Sequence, residues 1–146
     1  TIFEGFKGTI IAGEDYVANR VEKVVIGDMV PHQALDVFKP NTLLVVPSDR
    51  EGLIMTAICG NLLESKIFCH MSGIIFTSGK MPHDRVLSLI QKSKIPTLVV
   101  DEDSFTVATR ISKLLVKVRA DETEKIKKGF SLIERYVDVD RLCEVL

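Results

Sequence analysis

Three short polar stretches of the sequence carry side chains that could bind a small ligand. Each stretch directly follows an apolar run: VVPSDREG, IIFTSGK and LVVDEDS. An arginine guanidinium is a planar, permanently charged donor that can hold an anion through two hydrogen bonds, and a neighbouring carboxylate can orient it or cap a helix. Hydroxyls and backbone N–H groups add donors, so the pattern predicts an anion site. The candidate residues are Asp49, Arg50, Thr77, Ser78, Gly79, Asp101 and Ser104.

Each stretch also has a purely structural interpretation. Ser48 starts an S-x-x-E pattern that is typical of a helix capping box, and Asp49 with Arg50 could form a solvated ion pair. The TSG triplet fits a plain turn with Gly79 at positive φ. Residues 101–104 suit the start of a helix, where Asp and Ser satisfy free N–H groups and Ser104 can serve as the cap. The sequence alone leaves these alternatives open.

The elements that position these residues follow from the alternation of short β-branched runs with helix-like stretches. This pattern predicts an α/β fold with a mainly parallel sheet and helical crossovers. Ligands bind such sheets outside the carboxyl ends of the strands, which is where the three polar stretches fall. Strands are predicted at 21–27, 41–46, 73–77 and 97–101, with 8–13 either a further strand or a connection, and helices from Pro31, over 50–63, over 83–93, from Ser104 and in the tail.

Apolar spacing of three and four residues predicts which side of each helix faces the core. The tail is predicted to be an amphipathic helix with a narrow apolar stripe. The inward residues expected from this spacing are Leu35 and Phe38; Ile54, Ile58 and Leu62; Val86 and Ile90; Val107, Ile111, Leu114 and Leu115; and Ile126, Phe130, Ile133 and Val137.

The composition indicates an ordinary globular chain. Of its 146 residues 46% are hydrophobic and 27% are charged, and the formal net charge is −1. Binding to nucleic acid relies on an excess of Lys and Arg that this chain lacks, so we expect no nucleic-acid partner. No apolar stretch approaches the ~20 residues of a membrane-spanning helix, so we expect a soluble protein without a membrane partner. The length suits one core.

Sequence signatures of catalysis and of metal binding are scarce. The chain has no GxxxxGK[ST] loop, no GxGxxG and no GxSxG, and its three histidines lack ligand spacing, so we expect no metal and no cofactor. Cys59, Cys69 and Cys143 show no CxxC pattern, which favours buried or half-buried reduced thiols in the cytoplasm. The N-terminal TIFEGFKG has no signal-peptide pattern and no initiating Met, and we interpret the chain as an excerpt from a longer protein.

The residues from about 12 to 118 resemble the DRTGG domain family, which is named for an Asp-Arg pair and a later Thr-Gly-Gly. The pair is matched by Asp49-Arg50 within VVPSDREGLI and the triplet by Thr77-Ser78-Gly79 within GIIFTSGKMP, so Ser78 departs from the family pattern. GEDYVANRVEKVVIGDMVPHQAL is similar to the family's entry segment. Such domains occur in regulated pyrophosphatases, in long phosphotransacetylases and after P-loop domains.

The resemblance implies a three-layer α/β/α fold with a mainly parallel sheet, similar to the N-terminal domain of HPr kinase, and a homodimer. It divides the chain into an N-terminal extension or linker (1–11), the DRTGG domain (12–118) and a C-terminal helical tail (119–146) that packs on the domain or on a partner. It also implies that a P-loop-like domain precedes this chain in its parent protein.

The function implied by the resemblance is regulatory. We expect a non-catalytic, ligand-sensing and dimerising module whose ligand is a small anion such as a nucleotide, with Arg50 on the anion and Thr77 and Gly79 as donors. One alternative is an accessory part of an enzyme that transfers acetyl or phosphate groups, such as a phosphotransacetylase. Another is a structural dimerisation domain with an empty cleft.

Overall fold

The computed structural model describes residues 2–62, 70–115 and 123–136. Its contacts divide the chain into two compact units, of which the first ends at Ser112 and the second begins at Lys113. Short 3-10 turns span Phe3–Gly5 and Glu14–Tyr16. The strands are β1 (Gly8–Ala12), β2 (Lys23–Ile26), β3 (Thr42–Pro47), β4 (Met71–Thr77) and β5 (Thr97–Val100), and the helices are α1 (Pro31–Val37), α2 (Glu51–Leu62), α3 (Asp84–Lys92), α4 (Ser104–Leu115) and α5 (Thr123–Tyr136).

The strands described form one sheet in the order β1-β5-β4-β3-β2. Strands β2 to β5 are parallel, with Val46 opposite Phe76 in the β3–β4 pair and Phe76 opposite Val99 in the β4–β5 pair. Strand β1 is antiparallel to β5 and forms one edge. Of the two alternatives for residues 8–13, a strand or a connection, the structure has the strand.

One face of the sheet is covered by α1, α2 and α3. The chain steps from β2 to β5 in one direction, and residues of all three connecting helices join the same core cluster, as crossovers of one hand require. The main apolar cluster joins alternate strand residues to these helices. Its members include Leu44, Val46, Ile74, Phe76 and Val99 from the sheet and Ala34, Leu53, Ile54, Ala57, Ile58, Val86 and Ile90 from the helices.

The opposite face packs against the N-terminal turn and α4. Val107 and Ile111 of α4 are buried, and so are Phe3 and Phe6. A Cβ at Gly73 of β4 would lie only 2.8 Å from the Phe3 ring, so only glycine allows this close approach. The Arg110 guanidinium sits 4.5 Å from the centroid of the Phe6 ring. The predicted three-layer α/β/α fold is confirmed.

In the first unit, two predictions of inward-facing residues were wrong. Leu35 is 49% exposed, because Ala34 and Phe38, four residues apart, form the buried stripe of α1. Leu62 is 54% exposed at the last residue of α2, whereas Ile54 and Ile58 of the same helix are buried as predicted.

The second unit is described through α5. The predicted helix is present, but Phe130 is 63% exposed rather than part of a buried stripe. The side chain of Ile133, and Val137 altogether, lie outside the described residues, as do Cys69 and Cys143.

Candidate functional site

The polar loops that follow β3, β4 and β5 lie side by side at one end of the sheet. Parallel pairing sets Pro47 of β3 opposite Thr77 of β4, and Phe76 opposite Val99 of β5. We call the three loops, residues 48–50, 78–80 and 101–104, the carboxyl rim. This end of a parallel sheet also receives the N-termini of the following helices, whose free N–H groups favour anions.

The loops after β4 and β5 are joined by backbone hydrogen bonds. The Ser78 N–H donates to the Glu102 carbonyl at 2.9 Å, and the Gly79 N–H donates to the Val100 carbonyl at 2.8 Å. A side-chain contact continues the connection, because the hydroxyl oxygens of Thr77 and Ser104 lie 2.9 Å apart. Thr77 is fully buried, so this contact satisfies a hydroxyl that water cannot reach. These two loops therefore form one fixed surface.

The tip of the β4 loop has left-handed backbone geometry at two successive residues. Ser78 has φ 65° and Gly79 has φ 65°. The predicted positive φ at Gly79 is confirmed. The family pattern places glycine at both positions, and a serine in this region costs ~1–2 kcal/mol relative to its right-handed geometry. Ser78 thus adopts a backbone geometry that glycine adopts more readily, at the position where the family pattern has glycine.

Asp103, rather than Ser104, caps α4. Its Oδ1 accepts from the backbone N–H groups of Phe105 at 2.9 Å and Thr106 at 3.0 Å, and its Oδ2 accepts from the Thr106 hydroxyl at 2.6 Å. The Thr106 hydroxyl bond, followed by the backbone bonds, lowers the pKa of the Asp103 carboxyl below its ordinary value. The prediction of Ser104 as the cap was wrong. Since Asp103 satisfies the helix terminus, the Ser104 hydroxyl is free to meet Thr77.

Asp49 and Arg50 form the tip of the β3 loop and are both exposed. The Arg50 N–H donates to the Pro47 carbonyl at 3.1 Å, and the Arg50 carbonyl accepts from Leu53 and Ile54, so Arg50 occupies the backbone cap position of α2. The helix starts at Glu51, which places Ser48 too early for a capping box. Among the described residues, neither the Asp49 carboxylate nor the Arg50 guanidinium has a hydrogen bond or ion pair.

The structure thus brings five of the seven candidate residues into one cluster, in which Thr77 is buried, and sets the other two on the adjacent loop. Asp101 is exposed, and its Oδ1 would lie 2.6 Å from a Cβ at Gly79, so the carboxylate touches the left-handed tip. No hydrogen bond joins Asp49 or Arg50 to the other candidates.

Three charged residues at this end of the sheet were not among the seven candidates from the sequence. Lys80 directly follows Gly79 and is exposed, and Asp28 follows β2 and is exposed. Lys80 and Asp28 could both have been found from the sequence, because each lies shortly after a predicted strand. Glu102 forms an ion pair with Arg110, whose guanidinium also donates to the Gly5 carbonyl. That pairing links residues far apart in sequence, and only the fold reveals it.

The exposed charges of the carboxyl rim are mixed. Carboxylates of Asp49, Asp101 and Asp103 accompany the cations Arg50 and Lys80. The described residues contain no group of three or more acidic, histidine or cysteine side chains placed to hold a metal ion. The described helices include none that is both long and apolar enough to span a membrane. The Cys59 thiol is free and exposed on α2, which corrects the expectation of a buried or half-buried thiol.

The protein is a three-layer α/β/α domain with an open, mainly parallel sheet. Its ordered polar loops lie at the carboxyl ends of the central strands, which is where sheets of this kind bind ligands. The DRTGG domain model matches residues 1–114, which is most of the chain. The chain belongs to the DRTGG domain family.

The curated relatives are phosphate acetyltransferases. The chain is similar to the enzyme of Nitratidesulfovibrio vulgaris, with 26% identity over 91% of this chain and 19% of that protein. It is similar to the enzyme of Deinococcus radiodurans, with 27% identity over 88% of this chain and 18% of that protein. The chain thus spans about a fifth of the length of these relatives.

A solved structure shares the fold. It contains the CBS and DRTGG domains of the regulatory region of a Clostridium perfringens pyrophosphatase, complexed with its activator diadenosine tetraphosphate. The TM-score is 0.58 at 18% identity, and the match covers 89% of this chain and 57% of that one.

Two neighbouring substitutions in the left-handed loop tip should have different effects on the free energy of unfolding. Gly79→Ala lowers the free energy of unfolding by ~1–2 kcal/mol, because alanine resists positive φ, and it also displaces the Asp101 carboxylate. Ser78→Gly relieves the same strain but adds unfolded-state entropy, so we expect a change between zero and a gain of ~1 kcal/mol. Urea unfolding of both variants checks the pair. A neutral Gly79→Ala together with a clearly destabilising Ser78→Gly would contradict the loop geometry.

The Asp103 cap of α4 predicts how the stability of the protein depends on pH. Because folding lowers the pKa of Asp103, its contribution to stability is complete above the unfolded pKa, near pH 4, and is lost as the pH falls through the lower folded pKa. Asp103→Asn keeps a capping oxygen without the titration. The difference in unfolding free energy between wild type and Asp103→Asn should therefore shrink or reverse as the pH falls from 7 to 3. A difference that does not change with pH would contradict the assignment of Asp103 as a charged cap.

Proposed function

We propose that this chain is a non-catalytic regulatory module that senses a small anionic ligand, such as a nucleotide, at the carboxyl rim. In this proposal the module also forms a homodimer and belongs to a larger phosphotransacetylase-like or P-loop protein. Residues 119–146 act as a C-terminal helical tail beyond the domain. In this proposal buried Thr77 and its partner Ser104 hold the β4 and β5 loops in place. The residues that contact the ligand are Asp49, Arg50, Ser78, Gly79 and Asp101.

The observation that carries the proposal is the state of Arg50. Its guanidinium is exposed and has no hydrogen bond or ion pair with any described residue, although it stands at the start of α2 beside the ordered β4 loop. A helix start adds N–H groups and a favourable dipole to the arginine charge. An anion that contacts both the Arg50 guanidinium and the N–H groups at the start of α2 gains charge-assisted hydrogen bonds. It does not first have to break a competing ion pair.

The β4 loop supplies the second half of the proposed site. Its tip is held by the bonds from Ser78 and Gly79 to the β5 loop, so a ligand pays little ordering entropy to bind there. The Ser78 side chain and the Gly79 backbone are exposed at this tip. Buried Thr77 supports the loop from below through Ser104.

The mixed charge of the rim narrows the class of ligand. A compact polyphosphate would approach the Asp49, Asp101 and Asp103 carboxylates as well as Arg50 and Lys80, and like charges repel it. A ligand that joins its phosphates to several hydroxyl or amino donors can satisfy both signs. A nucleotide has this composition, since its phosphate suits Arg50 and its ribose hydroxyls suit a carboxylate such as Asp101.

Two comparisons support the regulatory assignment. The structural relative comes from a regulatory region that was solved with a dinucleotide activator, which makes adenine nucleotides the first ligands to test. The chain matches about a fifth of the length of the phosphate acetyltransferases that it resembles, which supports its assignment as one module of a larger protein.

Ligand binding predicts a rise in melting temperature. A ligand at about 100 times its dissociation constant stabilises the folded state by ~2.7 kcal/mol. We expect AMP, ADP, ATP or diadenosine tetraphosphate to raise the melting temperature of wild type, Arg50→Ala to abolish the rise, and Lys39→Ala to retain it. Lys39 is an exposed cation just before β3, at the opposite end of the sheet, and serves as the matched control. A rise that Arg50→Ala leaves intact would exclude the proposed site.

The alternative function is an accessory role in acetyl or phosphate transfer, which the names of the curated relatives favour. It predicts that the isolated chain converts acetyl phosphate and coenzyme A to acetyl-coenzyme A, with a rate that Arg50→Ala reduces. The regulatory proposal predicts no turnover above a heat-denatured control. Turnover that depends on Arg50 would replace the regulatory proposal by the alternative.

A further inference from the structure

Phe105 exposes an aromatic ring to water beside the carboxyl rim. Its side chain is 78% exposed, which is the highest value among the large apolar side chains that the structure describes. No aromatic ring or cation of the described residues lies against it. Burial of a phenylalanine side chain is among the largest hydrophobic gains available to a chain, so packing does not explain this residue at this position.

The backbone of Phe105 is fixed at the start of α4. Its N–H donates to the Asp103 carboxylate at 2.9 Å, and the hydroxyl oxygen of the preceding Ser104 lies 2.9 Å from that of Thr77 in β4. Aromatic side chains on a helix lean back towards its N-terminus. In the first turn of α4 this direction leads out of the helix, so the Phe105 ring leans towards the loops of the carboxyl rim.

The contacts of Arg110 indicate which of these loops the ring faces. Arg110 lies on the side of α4 that contacts Gly5 and Phe6, and these two residues lead directly into the edge strand β1. The five residues from Phe105 to Arg110 correspond to a rotation of about 140° around an α-helix, so Phe105 lies on the other side of α4. That side is turned away from β1 and towards the loops that follow β4 and β3.

The β4 loop lies between Phe105 and the cation that has no described partner. In the order of the sheet, β4 separates β3, whose loop carries Arg50, from β5, whose loop leads to Phe105. Helix α2, which follows Arg50, packs on one face of the sheet, and α4 packs on the other. A ligand that contacts both Arg50 and Phe105 therefore crosses the exposed tip of the β4 loop, and it needs an anion at one end and a planar apolar ring at the other.

We propose that the base of a nucleotide stacks on Phe105 while its phosphate binds Arg50. Every nucleobase has a π face that can stack on an aromatic side chain, and the ribose between base and phosphate then lies over the β4 tip near the Asp101 carboxylate. This inference rests on the proposed function and names the part of the ligand that an anion site alone leaves undefined. Inorganic phosphate, acetyl phosphate and ribose 5-phosphate all lack the base that the protein binds.

Calorimetric titrations with AMP and with ribose 5-phosphate separate binding of the base from binding of the phosphate. We expect Phe105→Ala to raise the Kd for AMP by at least about tenfold and to leave the weaker binding of ribose 5-phosphate unchanged, because only AMP loses a stacking partner. Phe105→Tyr should retain the affinity for AMP. Phe130→Ala removes an exposed phenylalanine of α5, and as the matched control it should bind both compounds as wild type does. Melting curves confirm that each variant is folded.

Fluorescence tests the stacking contact directly. The sequence contains no tryptophan, so Phe105→Trp introduces a single indole whose emission reports on position 105. We expect saturating AMP to quench this emission, because the adenine stacks on the indole, and ribose 5-phosphate to leave it unchanged. Phe130→Trp is the control, and its emission should respond to neither compound.

Failure of the stacking site can be distinguished from failure of the proposed function. Binding of AMP that Arg50→Ala abolishes but Phe105→Ala leaves intact would overturn the stacking site alone. A wild type that binds ribose 5-phosphate as tightly as AMP would do the same, because the base would then contribute nothing to the affinity. A wild type that binds neither compound would overturn both the stacking site and the anion site at the carboxyl rim.

Discussion

The parallel pairing of β3, β4 and β5 is the constraint on which the rest of the structure depends. Residues Leu43 to Val46 and Met71 to Thr77 are all buried. A slip of one residue would turn every side chain to the opposite face of the sheet, where it would no longer fit the helices packed there. Each buried aliphatic side chain contributes about 1.5–3 kcal/mol relative to exposure. The register fixed in this way sets Pro47 beside Thr77 and brings three polar loops to one end of the sheet.

The loops at this end differ in how firmly they are held. Backbone bonds and the contact between the Thr77 and Ser104 hydroxyls fasten the β4 and β5 loops to each other, and Asp103 fixes the start of α4. The β3 loop is fixed through its backbone at Arg50, while the guanidinium has no described partner. The fixed β4 and β5 loops lie beside a cation that has no described partner. This arrangement favours ligand binding, because the loops are ordered before the ligand binds.

The sequence predicted the elements well because their signals are strong and local. Continuous β-branched runs gave the strands of the parallel sheet, and the polar residues after β3, β4 and β5 converge as predicted. The predictions that failed are those that required a choice between two adjacent residues. Ser104 and Asp103 both suit a helix cap, and only the observed geometry selects Asp103. Leu35 and Ala34 differ by one position on a short helix whose apolar pattern is brief, and the Glu102–Arg110 pair required the fold.

Mapping of a nucleotide onto the backbone amides tests the central claim most directly. In a titration of isotope-labelled protein with AMP and with diadenosine tetraphosphate, the account predicts that the largest amide chemical-shift changes fall at residues 49–52, 78–80 and 101–105. These residues form the carboxyl rim and the first turns of α2 and α4. Changes concentrated at the amino ends of the strands, around residues 39–41 and 70–72, would contradict it, and so would saturating nucleotide that leaves every amide unshifted.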